Sequence, residues 1–305
     1  MSDVIATAGS SDVATPAALS VEEGSGRRRR RGGVLGVAGW MSVVWLVAVS
    51  VSAVLAPWLP LDDPDRADFF VDANSTPGTG GHLLGTEQNG FDIFSRLIWG
   101  GRVSLVVAFG VLAIGMVVGG TIGLVAGFVR GRVETILMAV VDIFLAFPAL
   151  ILLIAIVAFV GADLENIVLG ISLVTIPAFA RIARATTLTF SRREFVTAAE
   201  AAGASRFRIL VREVLPNVIL PLLAFGLLVV AIAIVAEGSL AFLGLTSQET
   251  ISWGGMINGG RRALQQENIA HTSMLPAVMM FLTVLAVNLL GDRFRAAFDV
   301  KDAAL

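Results

Sequence analysis

Six apolar stretches, at residues 34–56, 103–129, 135–160, 165–185, 217–243 and 274–296, decide what this chain can fold into. Each is long enough to cross a hydrocarbon core about 30 Å thick, which takes about 20 helical residues at ~1.5 Å each. In lipid every backbone N–H and C=O has to be satisfied within the protein, so such stretches form helices. Of the whole chain, 56% is hydrophobic and 15% charged, too little charge to solvate the surface of a soluble domain. The expected fold class is all-α, a polytopic membrane protein with six transmembrane helices.

The flanking segments supply domain limits and orientation. Residues 1–33 are polar and rich in Ser, Ala and Gly, which reads as a disordered cytoplasmic tail. The tail ends in Arg27–Arg31, against a first apolar stretch too long for the core of a cleaved signal peptide. Residues 57–102 read as an extracytoplasmic segment, 103–299 as the core transmembrane domain with a cytoplasmic loop at 190–216, and 300–305 as a C-terminal tail. With the amino terminus inside, the inner side carries Arg27–Arg31, Arg130, Arg132, Arg181, Arg184, Arg192, Arg193, Arg206, Arg208, Arg212, Arg293, Arg295 and Lys301. The outer side keeps only Arg66, Arg96, Arg102, Arg261 and Arg262. Excess positive charge marks the cytoplasmic side. The chain is therefore expected in the plasma membrane with both termini cytoplasmic.

Composition also limits the chemistry. There is no cysteine, and the two histidines, His82 and His271, stand far apart in sequence, each alone. No metal site or cofactor is expected within the chain. The lone lysine, Lys301, lies in "DVKDAAL". A phosphate-binding Gly-Xaa4-Gly-Lys-Ser/Thr loop is therefore missing, and the chain cannot hold ATP by that device.

One stretch interrupts the apolar pattern: "REFVTAAEAAGASRFRILVREVLPN", residues 193–217. Ser191 and Glu194 have the spacing of a capping box, so a helix is expected to start there. It should run through Ala198–Ala202 to Gly203 as its terminator. A second amphipathic helix, about 205–215, is expected to stop at Pro216. Two short helices meeting at a glycine make a slim knob suited to entering a cleft in another protein.

The spelling of this stretch resembles the EAA loop of ABC importer permeases. That family carries Glu-Ala-Ala, a glycine four residues after the second alanine, and Leu-Pro twelve residues beyond the glycine. Here Ala198, Ala199, Gly203, Leu215 and Pro216 keep the register, and Thr197 stands where the family has Glu. Further segments are similar to the C-type subunits of dipeptide/oligopeptide permeases. They are "HLLGTEQNGFDIFSRLIWGGRVSL" (82–105, with Phe91 for the usual arginine), "VDIFLAFPALIL" (141–152), "AEGSLAFLGL" (236–245), "SWGGMI" (252–257) and "LTVLAVNLLGDRFRAAFD" (282–299).

The resemblance implies a type I ABC importer permease (MetI-like) fold and a non-catalytic role. Thr197, Ala198, Ala199, Glu200, Gly203, Ala204, Ser205, Leu215 and Pro216 would couple to the ATPase. The implied partners are a second permease subunit forming a heterodimer, two ATPase subunits that carry ATP and Mg, and an extracytoplasmic substrate-binding protein. Membrane lipid and a peptide substrate complete the set, without nucleic acid. Related permeases for nickel, glutathione and other small solutes share the pattern.

Isolated features carry their own expectations. Gly115, Gly119, Gly123 and Gly127 recur every four residues and define one flat helical face for close packing. Asp142 and Glu237 are acids within apolar stretches, where they either pair or line a water-filled path. Pro148 is expected to kink the third span, and with Asp142 and Glu237 it is a candidate for the pathway or gate. Arg181 and Arg184 read as positive-inside anchors, and Asp292 with Arg293 as a cap or salt bridge. The loop 244–272 is long enough to face a binding protein or plug the path. A secondary transporter would instead show inverted repeats and discontinuous helices, and a membrane enzyme would need a cluster of reactive groups. The sequence shows neither.

Overall fold

The computed structural model describes residues 36–68, 71, 73–247, 250–261 and 271–302, with side chains as far as residue 296. The tail 1–33 with Arg27–Arg31, the loop residues 262–270 with Arg262, and the C-terminal residues 303–305 lie outside the described residues. Helices are α1 (Gly36–Leu55, continued by a 3-10 turn Ala56–Trp58), α2 (Ile93–Val129), α3 (Gly131–Leu145), α4 (Ala149–Val160) and α5 (Leu164–Phe190). They continue as α6 (Glu194–Ala201), α7 (Arg206–Phe242), α8 (Trp253–Gly259) and α9 (His271–Asp302). Five of these, α1, α2, α5, α7 and α9, are each long and apolar enough to cross a membrane. A sixth crossing is reached only if α3 and α4, bent by 83° between them, count together as one span.

Several expected boundaries move, each for a physical reason. α2 begins at Ile93 rather than 103, because Asp92 caps it by accepting the Ser95 N–H at 2.6 Å. Arg96 and Arg102 therefore sit on helix rather than in loop. At 37 residues α2 is about 55 Å long, well beyond the ~30 Å of a hydrocarbon core. The third span breaks at Pro148, which takes an extended backbone (ψ 122°) and starts α4 instead of merely kinking a continuous helix. Residues 300–302, expected as tail, still belong to α9.

The second helix of the 190–216 loop does not stop at Pro216. A π turn over Leu210–Val214 precedes the proline, and Leu215 N–H reaches back five residues to Leu210 O. The widened turn accommodates a residue that has no N–H to give. Asn217 Nδ2 caps the Glu213 carbonyl at 2.6 Å. The loop helix and the fifth span are thus one helix of 37 residues.

The glycine row performs as expected. A Cβ on Gly123 would strike the Ala180 carbonyl and lie 2.6 Å from Ala183 Cβ, and one on Gly127 would lie 2.8 Å from the Arg184 carbonyl. A second π turn, Gly115–Gly119, sits in the same row. The face packs within the chain, against α5. Phe179 of α5 fills the space beside Gly115 and meets Phe225 of α7 edge to face, ring centroids 5.1 Å apart. α7 packs against α2, α5 and α9, and α1 lies on α9 and α2. The short α8 wedges Trp253, fully buried, among them; its indole N–H donates to Leu97 O at 2.9 Å. The "SWGGMI" segment is therefore an internal wedge, with Gly254 against the backbone of Gly238.

Leucine at position 123 has no room beside Ala180 and Ala183, and overpacking of this kind costs about 1–3 kcal/mol. Gly123→Leu is expected to lower the melting temperature of the detergent-solubilised protein. Gly259→Ala is the control, since its added Cβ meets nothing within 4 Å. Equal melting of Gly123→Leu and wild type would show that this close approach does not support the bundle.

Candidate functional site

The 190–216 loop stands at one end of the bundle. The expected capping box is absent. Ser191 ends α5, its hydroxyl accepts from Arg130 Nη2 at 2.8 Å, and Arg193 occupies the N-cap of α6 without a side-chain hydrogen bond. Arg130, at the end of α2, is better placed to use that hydroxyl than a glutamate on the next helix.

The glycine terminator is present. Gly203 has φ +81°, its N–H donates to Glu200 O at 2.9 Å, and Ala204 N–H donates to Ala199 O at 3.0 Å. This is the paired-bond ending that a left-handed C′ residue permits. Ser205 then caps α7, accepting from Arg208 N–H at 3.4 Å. Val196 is buried and joins Ile209 and Val214 in the main core, with Ala199 and Ala204 packed beside them. Thr197, Ala198, Glu200 and Gly203 are exposed on the outer surface, as is Phe207 at 75%. The knob is rooted in the core on one side and presents small residues, a carboxylate and an aromatic ring on the other. Leu215 and Pro216 lie within α7, Leu215 packed against the core and Pro216 exposed, and neither ends the helix.

The candidate gate residues are kept apart. Asp142 of α3 pairs with Arg181 of α5, Nη2 to Oδ1 at 2.7 Å, both more than half exposed. One turn away on α5, Arg184 Nε donates to Glu134 Oε1 at 2.7 Å. The two arginines expected as membrane anchors therefore tie the bent pair's first half to α5. Glu237, 1% exposed, accepts from Ser104 Oγ at 3.0 Å, with Ser252 as a second hydroxyl partner. Pro148 marks the bend, and Phe147 before it is exposed. Arg295 lies 3.6 Å from Asp292 within α9.

At the opposite end His82 gathers acidic partners that the sequence did not pair with it. Folding brings His271 Nε2 to within 3.2 Å of where a Cβ on Gly85 would lie, three residues from His82. His82, buried, shares a proton with Asp92 (Nδ1 to Oδ1, 2.9 Å) and lies 3.4 Å from Asp68 through Nε2. Asp62 Oδ2 is 3.7 Å from Nδ1. Burial lowers the affinity of this imidazole for a proton, yet the Asp92 and Asp68 hydrogen bonds and the nearby carboxylate charges outweigh it and raise the pKa above the ordinary value.

Asp62, His82 and Asp92 have the donor types of a metal site, with ligand atoms within 4.8 Å of one another. However, both Asp92 oxygens are already engaged, by His82 and by the cap of α2. Ser95 Oγ donates to Asp62 O at 2.6 Å and binds the segment to α2. Glu87 pairs with Arg96 (Oε2 to Nη1, 2.7 Å), and Arg96 lies 4.4 Å over the Phe91 ring. Burial pushes the Glu87 carboxyl up, against the pull of Arg96 downward. No individual role for these residues was legible in the sequence. The one local signal was Asp92 three residues before Ser95 ahead of an apolar run, which is N-cap spacing.

Long apolar helices, a bent third crossing and a small-residue loop rooted in the core define a membrane-embedded transport subunit. The family described as binding-protein-dependent transport system inner membrane component matches residues 119–301. The glutathione transport system permease protein GsiD of Pectobacterium atrosepticum is 36% identical over 267 residues, covering 87% of this chain and 86% of that protein. The di/tripeptide transport system permease protein DppC of Pseudomonas aeruginosa is 38% identical over 266 residues, covering 85% and 86%. Among solved structures, an inward-facing form of the MetNI methionine ABC transporter superposes with a TM-score of 0.54 at 19% identity, covering 66% of this chain and 95% of that one. The last likeness concerns the fold.

The chain belongs to the binding-protein-dependent transport system inner membrane component family. It is a non-catalytic, multi-pass permease subunit of an ABC importer in the plasma membrane, and works with ATPase subunits and a binding protein.

The His82 cluster yields a pH dependence. A histidine whose folded pKa is raised above 6.5 contributes stability that is fully present below that pH and is lost as pH climbs through the raised value. Backbone hydrogen exchange in residues 73–92, corrected for its intrinsic rate, is expected to quicken across that window. His82→Gln should flatten the dependence. A variant with an unchanged pH profile would assign the effect to other groups.

Proposed function

We propose that this chain is the C-type permease of a dipeptide or oligopeptide importer, paired with a second permease subunit, two ATPase subunits and an extracytoplasmic binding protein. Peptide is favoured because the DppC relative is named for di- and tripeptides. Glutathione, itself a small peptide, is the second reading, favoured by the GsiD relative. Both termini and the 190–216 loop lie in the cytoplasm in this reading, in keeping with the excess of arginine at the loop end.

One observation carries the mechanism: the knob and the fifth crossing are parts of one body. α7 runs from Arg206 at the knob to Phe242 at the far end, while Val196 holds α6 against the same core. An ATPase groove that takes Thr197, Ala198, Ala199, Glu200 and the turn Gly203–Ser205 moves α7 with it. ATP closure in the partners would open the far end toward the binding protein, and hydrolysis would reopen the loop end. Asp142, Pro148 and Glu237 contribute in this scheme as the hinge region of α3–α4 and as the polar tie holding α7 to α2.

Reconstituted complex, with assembly checked by size, supplies the test through transport-coupled ATPase activity. At Gly203 a side chain meets nothing within 4 Å, so the penalty comes from φ +81°. For an L-residue that conformation costs about 1–2 kcal/mol, so Gly203→Val is expected to reduce coupling about tenfold. Glu200→Ala should weaken docking more than Glu194→Gln. Glu194 lies in the first turn of α6, where the helix dipole already stabilises it, whereas Glu200 sits exposed near the other end. Intact coupling in Gly203→Val would remove the knob from the transmission path.

A further inference from the structure

The outward faces of α1 and α9 leave a groove of about 360 Å³ between the two helices. Ala38, Met41 and Trp45 on α1 lie across it from Leu282, Ala286 and Leu289 on α9. Each set recurs at three- and four-residue spacing and so forms one face of its helix. Alanine at 38 and 286 leaves the space that longer side chains would take. From Ala38 to Trp45 the groove runs about 10 Å, most of one leaflet's half of a ~30 Å hydrocarbon core. Its side-chain donors are already used: Ser42 Oγ donates to Ala38 O at 2.9 Å, and Trp45 Nε1 to Thr283 Oγ1 at 3.1 Å. The walls therefore offer hydrocarbon to whatever lies there. Arg293 continues the α9 stripe one turn beyond Leu289, and its Nη2 lies 3.8 Å from where a Cβ on Gly36 would be, at the start of α1. It forms no ion pair with any described residue, whereas its neighbour Asp292 faces Arg295 at 3.6 Å. In sequence Arg27–Arg31 lead into the same helix start. The groove is apolar along its length and cationic at one mouth.

We propose that this groove seats an anionic phospholipid of the cytoplasmic leaflet, with its phosphate on Arg293 and one acyl chain between α1 and α9. A guanidinium holds a phosphate through two parallel N–H bonds, and basic residues beside a membrane span draw anionic headgroups to it. A zwitterionic lipid brings its own cation to the mouth and gains less from Arg293. An apolar helix of the second permease would need no cation there, whereas a phospholipid carries phosphate and chain at this spacing. Bound in the groove, the lipid bridges α1 to α9, which packs against α7. The choice of leaflet rests on the topology given with the importer reading; the groove and its cation do not.

The experiment uses the full complex in phosphatidylcholine nanodiscs that contain a trace of phosphatidylglycerol with a diazirine on one acyl chain. Photolabelling is expected to map to residues 38–45 and 282–289. A phosphatidylcholine probe with the same diazirine should label those segments about fivefold less, and Arg293→Gln should cut the phosphatidylglycerol label by about the same factor, the worth of one basic residue at an anionic surface. Arg293→Lys should keep most of it. Leu285 lines the groove and is exposed, so Leu285→Trp fills the space at unchanged charge and should remove the label from α1, with assembly checked by size. Equal labelling by the two probes, or undiminished labelling of Arg293→Gln, would overturn the proposal. So would a benzoylphenylalanine at position 41 that crosslinks to the second permease rather than to lipid, since the groove would then be a subunit contact. Nanodiscs carry probe in both leaflets, so the labelling does not depend on which end is cytoplasmic. Modification of Ser25→Cys by an impermeant maleimide in intact cells would overturn the topology, and with it the choice of leaflet alone.

Discussion

The bundle depends on the backbone-to-backbone approach of α2 and α5. Lipid tails are as apolar as the side chains, so burial supplies little drive for two helices to meet in a membrane; dispersion and close fit supply it. Gly115, Gly119, Gly123 and Gly127 remove the side chains that would hold the helices apart, and the Ile176, Ala180 and Arg184 carbonyls occupy the space. Once α5 is seated, Phe179 reaches Phe225 and positions α7. Arg181 and Arg184 are at the same time presented to Asp142 and Glu134 of α3.

Buried polar groups secure what dispersion leaves loose. Glu237 is tolerated in α7 because Ser104 of α2 and Ser252 ahead of α8 meet it. Trp45 donates to Thr283 across α1 and α9 at 3.1 Å, and Trp253 to the Leu97 carbonyl. A hydrogen bond of this kind has no competing water within the hydrocarbon, and its loss leaves an unsatisfied group behind. These ties join at the end of the bundle away from the loop, where the His82 and Glu87 networks also lie. That end is held together by polar chemistry, and the loop end by small-residue packing.

The helices are interrupted at three places among the described residues. α2 and α7 each carry one π turn, over Gly115–Gly119 and Leu210–Val214, and the third crossing is bent at Pro148. The turn in α7 lies at the loop end, immediately before Leu215 and Pro216. The bend at Pro148 lies within the crossing that Asp142 and Glu134 tie to α5.

The sequence by itself determined the class of the protein. Apolar length sets how many times a chain can cross lipid, glycine spacing sets which helical face comes close, and the register from Ala198 to Pro216 marked the loop. Each of these is a local property, carried by neighbours along one helix. Tertiary structure alone decided that Ser191 serves Arg130 rather than Glu194, and that the loop helix continues through Pro216. It alone joined Asp142 to Arg181 and gathered His82 with three aspartates. It also left Glu87 Oε1 buried without a partner. Side-chain pairings of this kind join residues as far as 238 positions apart, as in Trp45 with Thr283, and a side chain with several partners within reach takes one only when packing has excluded the others.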